Sequence, residues 1–152
     1  MVDLPKVIND FHTFLPTESE IYLVGGVVRD ALLSKDNKDI DFVCTGNAKS
    51  DAMFFCNKIQ GDFFMLDEER NTCRVIKNDN HYGRLIFDFA QMHGNSLEED
   101  LAARDFTLNA MALPIFNSAG LIDPLNGARD LQAKTLKPCR DTSFIDDPLR
   151  VI

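Results

Sequence analysis

The segment Ile21–Cys44 constrains the fold most, because it joins two short apolar runs through a double glycine and an amphipathic stretch. The first run, Ile21–Val24, is typical of a short buried strand, and it stops at Gly25-Gly26. Apolar residues then recur at helical spacing over 27–33, which predicts a helix. A strand, a glycine turn and a helix in immediate succession indicate a domain that mixes strands with helices.

The double glycine and the helix after it favour a phosphate site. Glycine has no Cβ, so Gly25 and Gly26 permit a sharp turn and a close approach of a ligand to the backbone. The first turn of the following helix offers N–H groups without intrahelical partners and a positive dipole end, which suit a phosphate. Taken alone, such a turn is more often structural.

Two aspartates alternate along the next predicted strand, 39–43. Asp39 and Asp41 are two residues apart, so both carboxylates project from one face while Ile40 points the other way. Adjacent carboxylates repel each other unless something neutralises them, and a divalent cation with oxygen ligands does so. A phosphate site beside a metal site predicts phosphoryl or nucleotidyl transfer, whereas a lone aspartate pair is often merely a solvated strand end.

The composition is that of one soluble globular domain. The chain has 152 residues, of which 45% are hydrophobic and 26% charged. No run of about 18 apolar residues and no secretory pattern occurs, which predicts a cytoplasmic protein without a membrane span. The four cysteines form no CxxC pair and the three histidines are scattered, which disfavours zinc. The net charge of −8 argues against a strong grip on a nucleic-acid backbone by this segment.

The remaining periodicity and turn signals predict one α/β (α+β) domain with a mixed sheet of about five strands and flanking helices. Ser96 and Glu99 fit a capping box that starts one of the helices. The further helices are predicted over 4–15, 48–59, 96–103 and 128–133, and the further strands over 63–66, 72–77, 84–90 and 135–136.

Asp88 is the anomaly in the predicted strand 84–90, because phenylalanines flank it on both sides. A buried carboxylate there is costly unless it is paired or bound to a metal. The alternative is that Asp88 faces solvent on an edge strand, and the residues favour neither reading.

The last seven residues begin a helix with little to pack against. Pro148 is favoured at the first helical position, which makes Asp147 the N-cap. We therefore expect a head domain over 1–145 and, over 146–152, the start of a helix at which the chain is cut.

Three stretches, in order, resemble one family: the class II nucleotidyltransferases, which comprise bacterial-type tRNA CCA-adding enzymes and related poly(A) polymerases. The first is LVGGVVRDALL at 23–33 with KDIDFV at 38–43. The second, RDFTLNAMA at 104–112, is similar to the RRDFTxNAxA motif of the family. The third, DDPLR at 146–150, resembles the EDxxR element that opens the neck helix. The resemblance covers nearly the whole chain and implies the nucleotidyltransferase head domain.

The resemblance implies roles for individual residues. Asp39 and Asp41 would bind two Mg²⁺ ions, one to activate the RNA 3′ hydroxyl and one to hold the triphosphate and the departing pyrophosphate. Asp88 stands where the wider superfamily often has a third acidic residue, a further metal ligand. The implied nucleotide-binding residues are Gly25, Gly26, Arg29, Arg104, Asp105, Asn109, Asp147 and Arg150.

The resemblance assigns the choice of base to Asp147 and Arg150, which share a helix face. The carboxylate accepts from the exocyclic amino group of C or A, where U and G present a carbonyl, and the guanidinium donates to ring or carbonyl acceptors. ATP and CTP are thus the implied substrates, and an RNA 3′ end, that of a tRNA, is the implied acceptor. The main grip on the RNA would lie in regions absent from this chain. A plain N-cap role for Asp147 is the alternative.

Two residues depart from the family pattern. Ala103 replaces the first arginine of RRDF, which removes one basic contact unless it is supplied elsewhere, and Asp146 replaces the glutamate of EDxxR. We expect template-independent transfer of AMP or CMP to an RNA 3′ end, with little activity in the 152 residues alone. A non-catalytic nucleotide-binding or partner module is the alternative. The residues do not distinguish CCA addition from A-only or poly(A) addition. They also do not indicate an oligomeric state.

A dinucleotide-binding oxidoreductase is disfavoured. The sequence GGVVRD lacks the GxGxxG spacing, and the aspartate pair has no role in that fold.

Overall fold

Six strands form a single mixed sheet in a computed structural model that describes residues 2–142. The strands are β1 Ile21–Val24, β2 Asp39–Cys44, β3 Asp62–Asp67, β4 Thr72–Asp79, β5 Gly83–Gln91 and β6 Ala112–Pro114. The helices are α1 Lys6–Phe11, α2 Gly26–Leu32, α3 Ala48–Ile59, α4 Leu97–Ala102 and α5 Gly127–Gln132, with 3₁₀ turns at His12–Phe14 and Thr107–Asn109. The spatial order of the strands is β3-β4-β5-β2-β1-β6.

The fold class predicted from the sequence is confirmed, with one strand more than the five expected. The additional strand β6 pairs antiparallel with β1, and its three residues are too few to show a period in the sequence. The strand predicted at 135–136 is wrong, since only Pro138 makes an isolated bridge there, to Phe106. The first helix is shorter than predicted because Pro5 is extended and the last turn tightens to 3₁₀.

The pairing of β2 with β5 is parallel, and every other pair of named strands in the described part is antiparallel. This pairing sets Asp41 opposite Asp88, and β4 sets Arg74 opposite Asp88 from the other side. Three charged residues from three strands therefore lie in one row across the sheet. The edge-strand reading of Asp88 is wrong, because β5 lies in the middle of the sheet.

One face of the sheet carries an aromatic core. Phe42, Phe55, Phe87 and Phe89 are fully buried, and the rings of Phe42 and Phe87 are parallel with centroids 6.3 Å apart. Phe55 comes from α3 and meets Phe87 edge-on at 4.9 Å. Burying such a side chain is worth about 1.5–3 kcal/mol, so this layer anchors the strands that carry the acidic residues.

The opposite face is covered only in part. Helix α4 packs Leu97 and Leu101 against Val24 and Val43, at the β1–β2 end of the sheet. Its predicted cap is confirmed, because the Ser96 hydroxyl accepts from the Glu99 amide at 3.2 Å. Beyond α4, the face over β5 and β4 is open, and the side chain of Asp88 is 24% exposed.

No helix within residues 2–142 is long and apolar enough to cross a membrane. The predicted helix start at 146–152, with Asp146, Asp147 and Arg150, lies outside the described residues.

Candidate active site

Asp39 and Asp41 lie on the open face of β2, and Ile40 between them is buried in the core. Asp39 is exposed at the start of the strand, whereas Asp41 is half-buried one step further in. The alternation predicted from the sequence therefore holds. Asp88 stands beside Asp41 on the neighbouring parallel strand, so a third carboxylate joins the pair on this face.

Asp41 carries the highest electrostatic cost of this group. Burial raises its pKa to about 6, and the charges of Asp88 and Asp39 add to that rise. Arg104 and Arg74 act in the opposite direction and lower the pKa, without cancelling the rise. Ionising Asp41 therefore costs more in the folded protein than in an unperturbed aspartate, although the carboxylate form still predominates at neutral pH, and a bound cation would relieve the repulsion.

The donor set fits a magnesium ion that completes its shell with substrate. Within residues 2–142, no three histidine, cysteine, aspartate or glutamate side chains come close enough to form a metal site by themselves. Mg²⁺ is commonly held by one or two carboxylates together with waters and substrate phosphates. Asp39 and Asp41 supply those two carboxylates at an open face.

Asp88 is held by an arginine. Arg74 donates from Nε to Oδ1 at 2.8 Å and from Nη2 to Oδ2 at 2.9 Å, a bidentate pair that raises the pKa of Arg74. Of the roles that the sequence left open for Asp88, pairing is the one observed. A metal-ligand role for Asp88 remains a prediction.

Gly25 lies directly against Asp41. Its φ is +73°, in the region that side chains rarely adopt, and it ends β1 where α2 begins. A Cβ at this position would lie 3.1 Å from Asp41 Oδ2 and 3.7 Å from Arg104 Nη1. Glycine is therefore required both by the backbone and by the space beside the carboxylate.

Arg29 projects from α2 and is held on two sides. Its Nε donates to Asp30 Oδ1 at 2.9 Å, and its Nη1 donates to Asn109 Oδ1 at 3.0 Å. Its Nη2 lies on the side of Gly26, 3.3 Å from where a Cβ of that glycine would stand. The guanidinium is thus fixed beside the glycine turn, as a phosphate-binding role requires.

Arg104 reaches the same place from the end of α4. Its Nε and Nη2 donate to Asp100 Oδ2 at 3.3 and 3.2 Å, and the buried Asp100 also accepts the His93 amide at 2.8 Å. This anchor leaves Nη1 directed toward Gly25.

Asp105 and Asn109 belong to the same 3₁₀ corner. Asp105 Oδ1 accepts the amide of Phe106, the residue before the turn, at 2.7 Å. Asn109 connects this turn to α2 through Arg29. The predicted residues Gly25, Gly26, Arg29, Arg104 and Asn109 thus surround Asp41 or the glycine turn, whereas the side-chain hydrogen bonds of Asp105 stay within its own corner.

Four residues of this arrangement were missed from the sequence: Asp30, Arg74, Asp100 and Asn37, whose Nδ2 donates to Asp30 Oδ2 at 2.7 Å. Asp100 had a signal, because it precedes Arg104 by four residues on a helix. Arg74 had only a weak signal, because 72–77 and 84–90 are consecutive predicted strands whose register, which sets Arg74 opposite Asp88, depends on the exact turn between them. At the departure Ala103, the structure shows a surface groove that Arg70 and Arg140 also line, so cationic side chains stand close by.

The comparisons with known proteins agree with one another. The family model of the poly(A) polymerase head domain matches residues 21–137. The CC-adding tRNA nucleotidyltransferase of Synechocystis is 42% identical, over 100% of this chain and 35% of that protein. Its counterpart from Geobacter sulfurreducens is 40% identical, over 86% of this chain and 30% of that protein.

A solved structure, the Thermotoga maritima CCA-adding enzyme complexed with tRNA, superposes with a TM-score of 0.81 at 33% identity. The match covers 99% of this chain and 37% of that one. The chain spans about a third of the length of the relatives it matches. The resemblance inferred from the three sequence stretches is confirmed.

Proposed function

Since the chain belongs to the family of poly(A) polymerase head domains, we propose that it is the catalytic head of an RNA nucleotidyltransferase. It transfers CMP or AMP, or both, from the triphosphate to the 3′ end of a tRNA in the cytoplasm and releases pyrophosphate. The observation that carries this proposal is the position of Asp41 between Asp39, Gly25 and Arg104, where carboxylates and a phosphate-binding turn meet. Residues 1–145 form the head in this proposal.

In the proposed enzyme, Asp39 and Asp41 would hold two Mg²⁺ ions. Bound there, the metal supplies Lewis-acid activation of the attacking hydroxyl and neutralises charge on the triphosphate. Asp88 is the candidate for a third ligand and stays paired with Arg74 in the protein alone.

The other residues bind and orient the nucleotide. Arg29 offers Nη2 to a phosphate oxygen, because Asp30 and Asn109 fix its other nitrogens. Gly26 lies beside the guanidinium of Arg29, and the missing Cβ of Gly25 keeps Asp41 Oδ2 accessible.

Arg104 adds a second cation near the same phosphates. We propose that Asp105 and Asn109 border the sugar. Asp147 reads the base by accepting from the amino group that C and A share, and Arg150 reads it by donating to ring or carbonyl acceptors.

Nucleotide incorporation tests the proposal. The full-length protein, in which the proposal makes residues 1–145 the head, is incubated with Mg²⁺ and a tRNA that lacks its 3′ CCA, with each labelled triphosphate in turn. Incorporation of C and A indicates CCA addition, C alone indicates CC addition, and A alone indicates an A-adding or poly(A) enzyme. No incorporation, with calorimetric binding of all four triphosphates without base preference, would instead indicate a non-catalytic module.

The carboxylate pair is tested by the variant Asp39→Ala with Asp41→Ala. Incorporation should fall at least about a thousandfold, which corresponds to about 4 kcal/mol of lost transition-state stabilisation. Asp36→Ala, which changes an exposed loop aspartate, is the control and should keep full activity. Intact incorporation in the double variant would exclude these two residues as metal ligands.

A further inference from the structure

A continuous chain of side-chain hydrogen bonds connects the phosphate-binding arginine to the start of the acidic strand. It runs from Asn109 through Arg29 and Asp30 to Asn37, and from Asn37 to the backbone of Asp39. Asn37 lies in the loop between α2 and β2, outside the three stretches that resemble the family. We propose that Asn37 is a positioning residue that couples the nucleotide grip of Arg29 to the metal-binding Asp39.

The first arm of Asn37 acts on Arg29. Nδ2 of Asn37 donates to Asp30 Oδ2 at 2.7 Å, while Asp30 Oδ1 accepts from Arg29 Nε at 2.9 Å. One carboxylate thus receives a separate donor on each oxygen, which fixes its rotation about the Cβ–Cγ bond. Since Asp30 and Asn109 together orient the guanidinium, Asn37 determines indirectly where Arg29 Nη2 points.

The second arm acts on Asp39. Oδ1 of Asn37 accepts from the amide of Asp39 at 2.8 Å, an Asx-type turn that fixes the first residue of β2. The neighbouring strand holds the same point, because the carbonyl of Lys38 accepts from the Ile86 amide at 2.9 Å. The exposed carboxylate of Asp39 therefore starts from a backbone position that Asn37 helps to set.

An amide is the side chain that can serve both arms at this length. It carries a donor and an acceptor at its end, and here the donor faces a carboxylate while the acceptor faces an N–H group. An aspartate at position 37 would place a second negative charge against Asp30. The loop also folds back onto the helix, since the Lys35 amide donates to the carbonyl of Asp30 at 2.8 Å.

Asn37 thus couples the binding of metal to the binding of nucleotide. This inference rests on the proposed function. Two variants separate the arms. Asn37→Ser keeps an oxygen that can accept from the Asp39 amide but is too short to reach Asp30, and Asn37→Ala removes both contacts. Asn80→Ala changes an exposed asparagine in the turn between β4 and β5 and is the matched control.

Three quantities are measured on the full chain. The Mn²⁺ affinity without nucleotide reports on Asp39, and it is measured from the electron paramagnetic resonance signal of free Mn²⁺. Calorimetric Kd values for CTP and ATP at saturating Mg²⁺, with KM and kcat, report on Arg29. A thermal melt confirms that each variant folds.

We expect Asn37→Ser to weaken nucleotide binding and raise KM about five- to tenfold while Mn²⁺ affinity stays within about twofold, because only the Asp30 contact is lost. Asn37→Ala should weaken both, by about five- to tenfold each. Asn80→Ala should change neither. If Asn37→Ala fails to fold, the KM of Asn37→Ser decides the Arg29 arm by itself.

The inference would be overturned if Asn37→Ala kept its nucleotide and Mn²⁺ affinities within about twofold of the unchanged protein. It would also be overturned if Asn37→Ser lost as much Mn²⁺ affinity as Asn37→Ala. A lower melting temperature with unchanged affinities would show that Asn37 only closes its loop. If the unchanged protein binds neither Mn²⁺ nor a triphosphate, the proposed function fails; normal binding with unaffected variants refutes only the coupling.

Discussion

Strands β2 and β5 present two unlike faces to their surroundings. On one face Phe42, Phe87 and Phe89 are packed beneath α3 without exposure to water. On the other, Asp41 and Asp88 lie side by side near the surface. The same backbone carries both sets, because successive side chains of a strand alternate between faces.

The aromatic face stabilises the domain, whereas the acidic face is unfavourable and is kept in place by the rest of the domain. The aromatic layer gains free energy from burial, whereas like charges opposite each other on adjacent strands are unfavourable. Burial first, and then the charge of Asp88, raise the pKa of Asp41 on this face. Stability from one face thus maintains an arrangement on the other that would otherwise separate, and each prediction below tests whether the two faces divide the roles in this way.

Truncating the aromatic face should have the largest effect on stability. Phe87→Ala removes a fully buried ring that contacts Phe42, Phe55 and Phe11, and it should lower the free energy of unfolding by about 3–5 kcal/mol. Denaturant melts measure the loss, and Phe87→Leu is the control, with a smaller loss. Mn²⁺ affinity of the molecules that remain folded should change little; a large change would show that the two faces are not separable.

The glycine turn should show a smaller effect on stability and a strong one on activity. Gly25→Ala forces a side chain into a strained backbone conformation beside Asp41 Oδ2 and should lower incorporation about a hundredfold. Gly120→Ala is a matched control, since Gly120 also has a positive φ of +82° but nothing lies within 4 Å of its Cβ position. Equal losses of activity in the two variants would attribute the effect to backbone strain alone.

The acidic face should reveal itself in the pH dependence of stability. The pKa of Asp41 is raised to about 6 in the folded protein, so the folded state holds this proton more tightly than the unfolded state does. The stabilisation it contributes is present at low pH and is lost as the pH rises through about 6. Asp41→Asn should therefore be more stable than the unchanged protein at pH 8, by on the order of 1–2 kcal/mol, and lose this advantage near pH 4.

Addition of Mg²⁺ should reverse the order of stability of Asp41→Asn and the unchanged protein at pH 8. Mg²⁺ should raise the melting temperature of the unchanged protein at pH 8 and have less effect on Asp41→Asn, because the cation binds the carboxylate pair. Asp36→Asn is the control and should follow the unchanged protein throughout. An Asp41→Asn variant that is less stable at pH 8 without metal would contradict the electrostatic account of this face.

The Arg74–Asp88 pair should give the smallest effect. Arg74→Met removes a positive charge that lowers the pKa of Asp41, so carbon-13 NMR should show the Asp41 pKa rising further. We expect Mn²⁺ affinity to rise about two- to fivefold, because the cation then meets less positive charge and Asp88 is released. Arg70→Met, on an exposed arginine, is the control. Weaker Mn²⁺ binding would mean that Arg74 positions Asp88 for the metal.

Much of the fold was accessible from the sequence because its signals are local. The helix at 48–59 was predicted with the bounds that α3 has, and the Ser96 cap of α4 was predicted correctly. The short strand β6 was missed and residues 135–136 were wrongly predicted as a strand, since segments of two or three residues adopt the structure that their neighbours impose.

The residues of the candidate site differ in the same way, because some have a local sequence signal and others depend on the tertiary structure. Sequence alternation placed Asp39 and Asp41 on one face, and the double glycine marked the turn beside them. The missed residues Asp30, Asn37 and Arg74 have ordinary polar identities whose partners come from loop folding and strand pairing. Asp147 and Arg150 stay predictions, outside the described residues.

The sequence by itself determined the order of the elements, the face to which each strand residue points and the family to which the chain belongs. Those features depend on residue periods of 2 and 3.6 and on short motifs, which are read along one stretch of chain. Only the tertiary structure decided that β2 pairs in parallel with β5. The pairing of β2 with β5, two strands far apart in the chain, sets Asp88 beside Asp41, and the neighbouring hairpin strand β4 supplies Arg74 to hold it. Register between distant strands is fixed by packing of the whole domain, so no local pattern carries it.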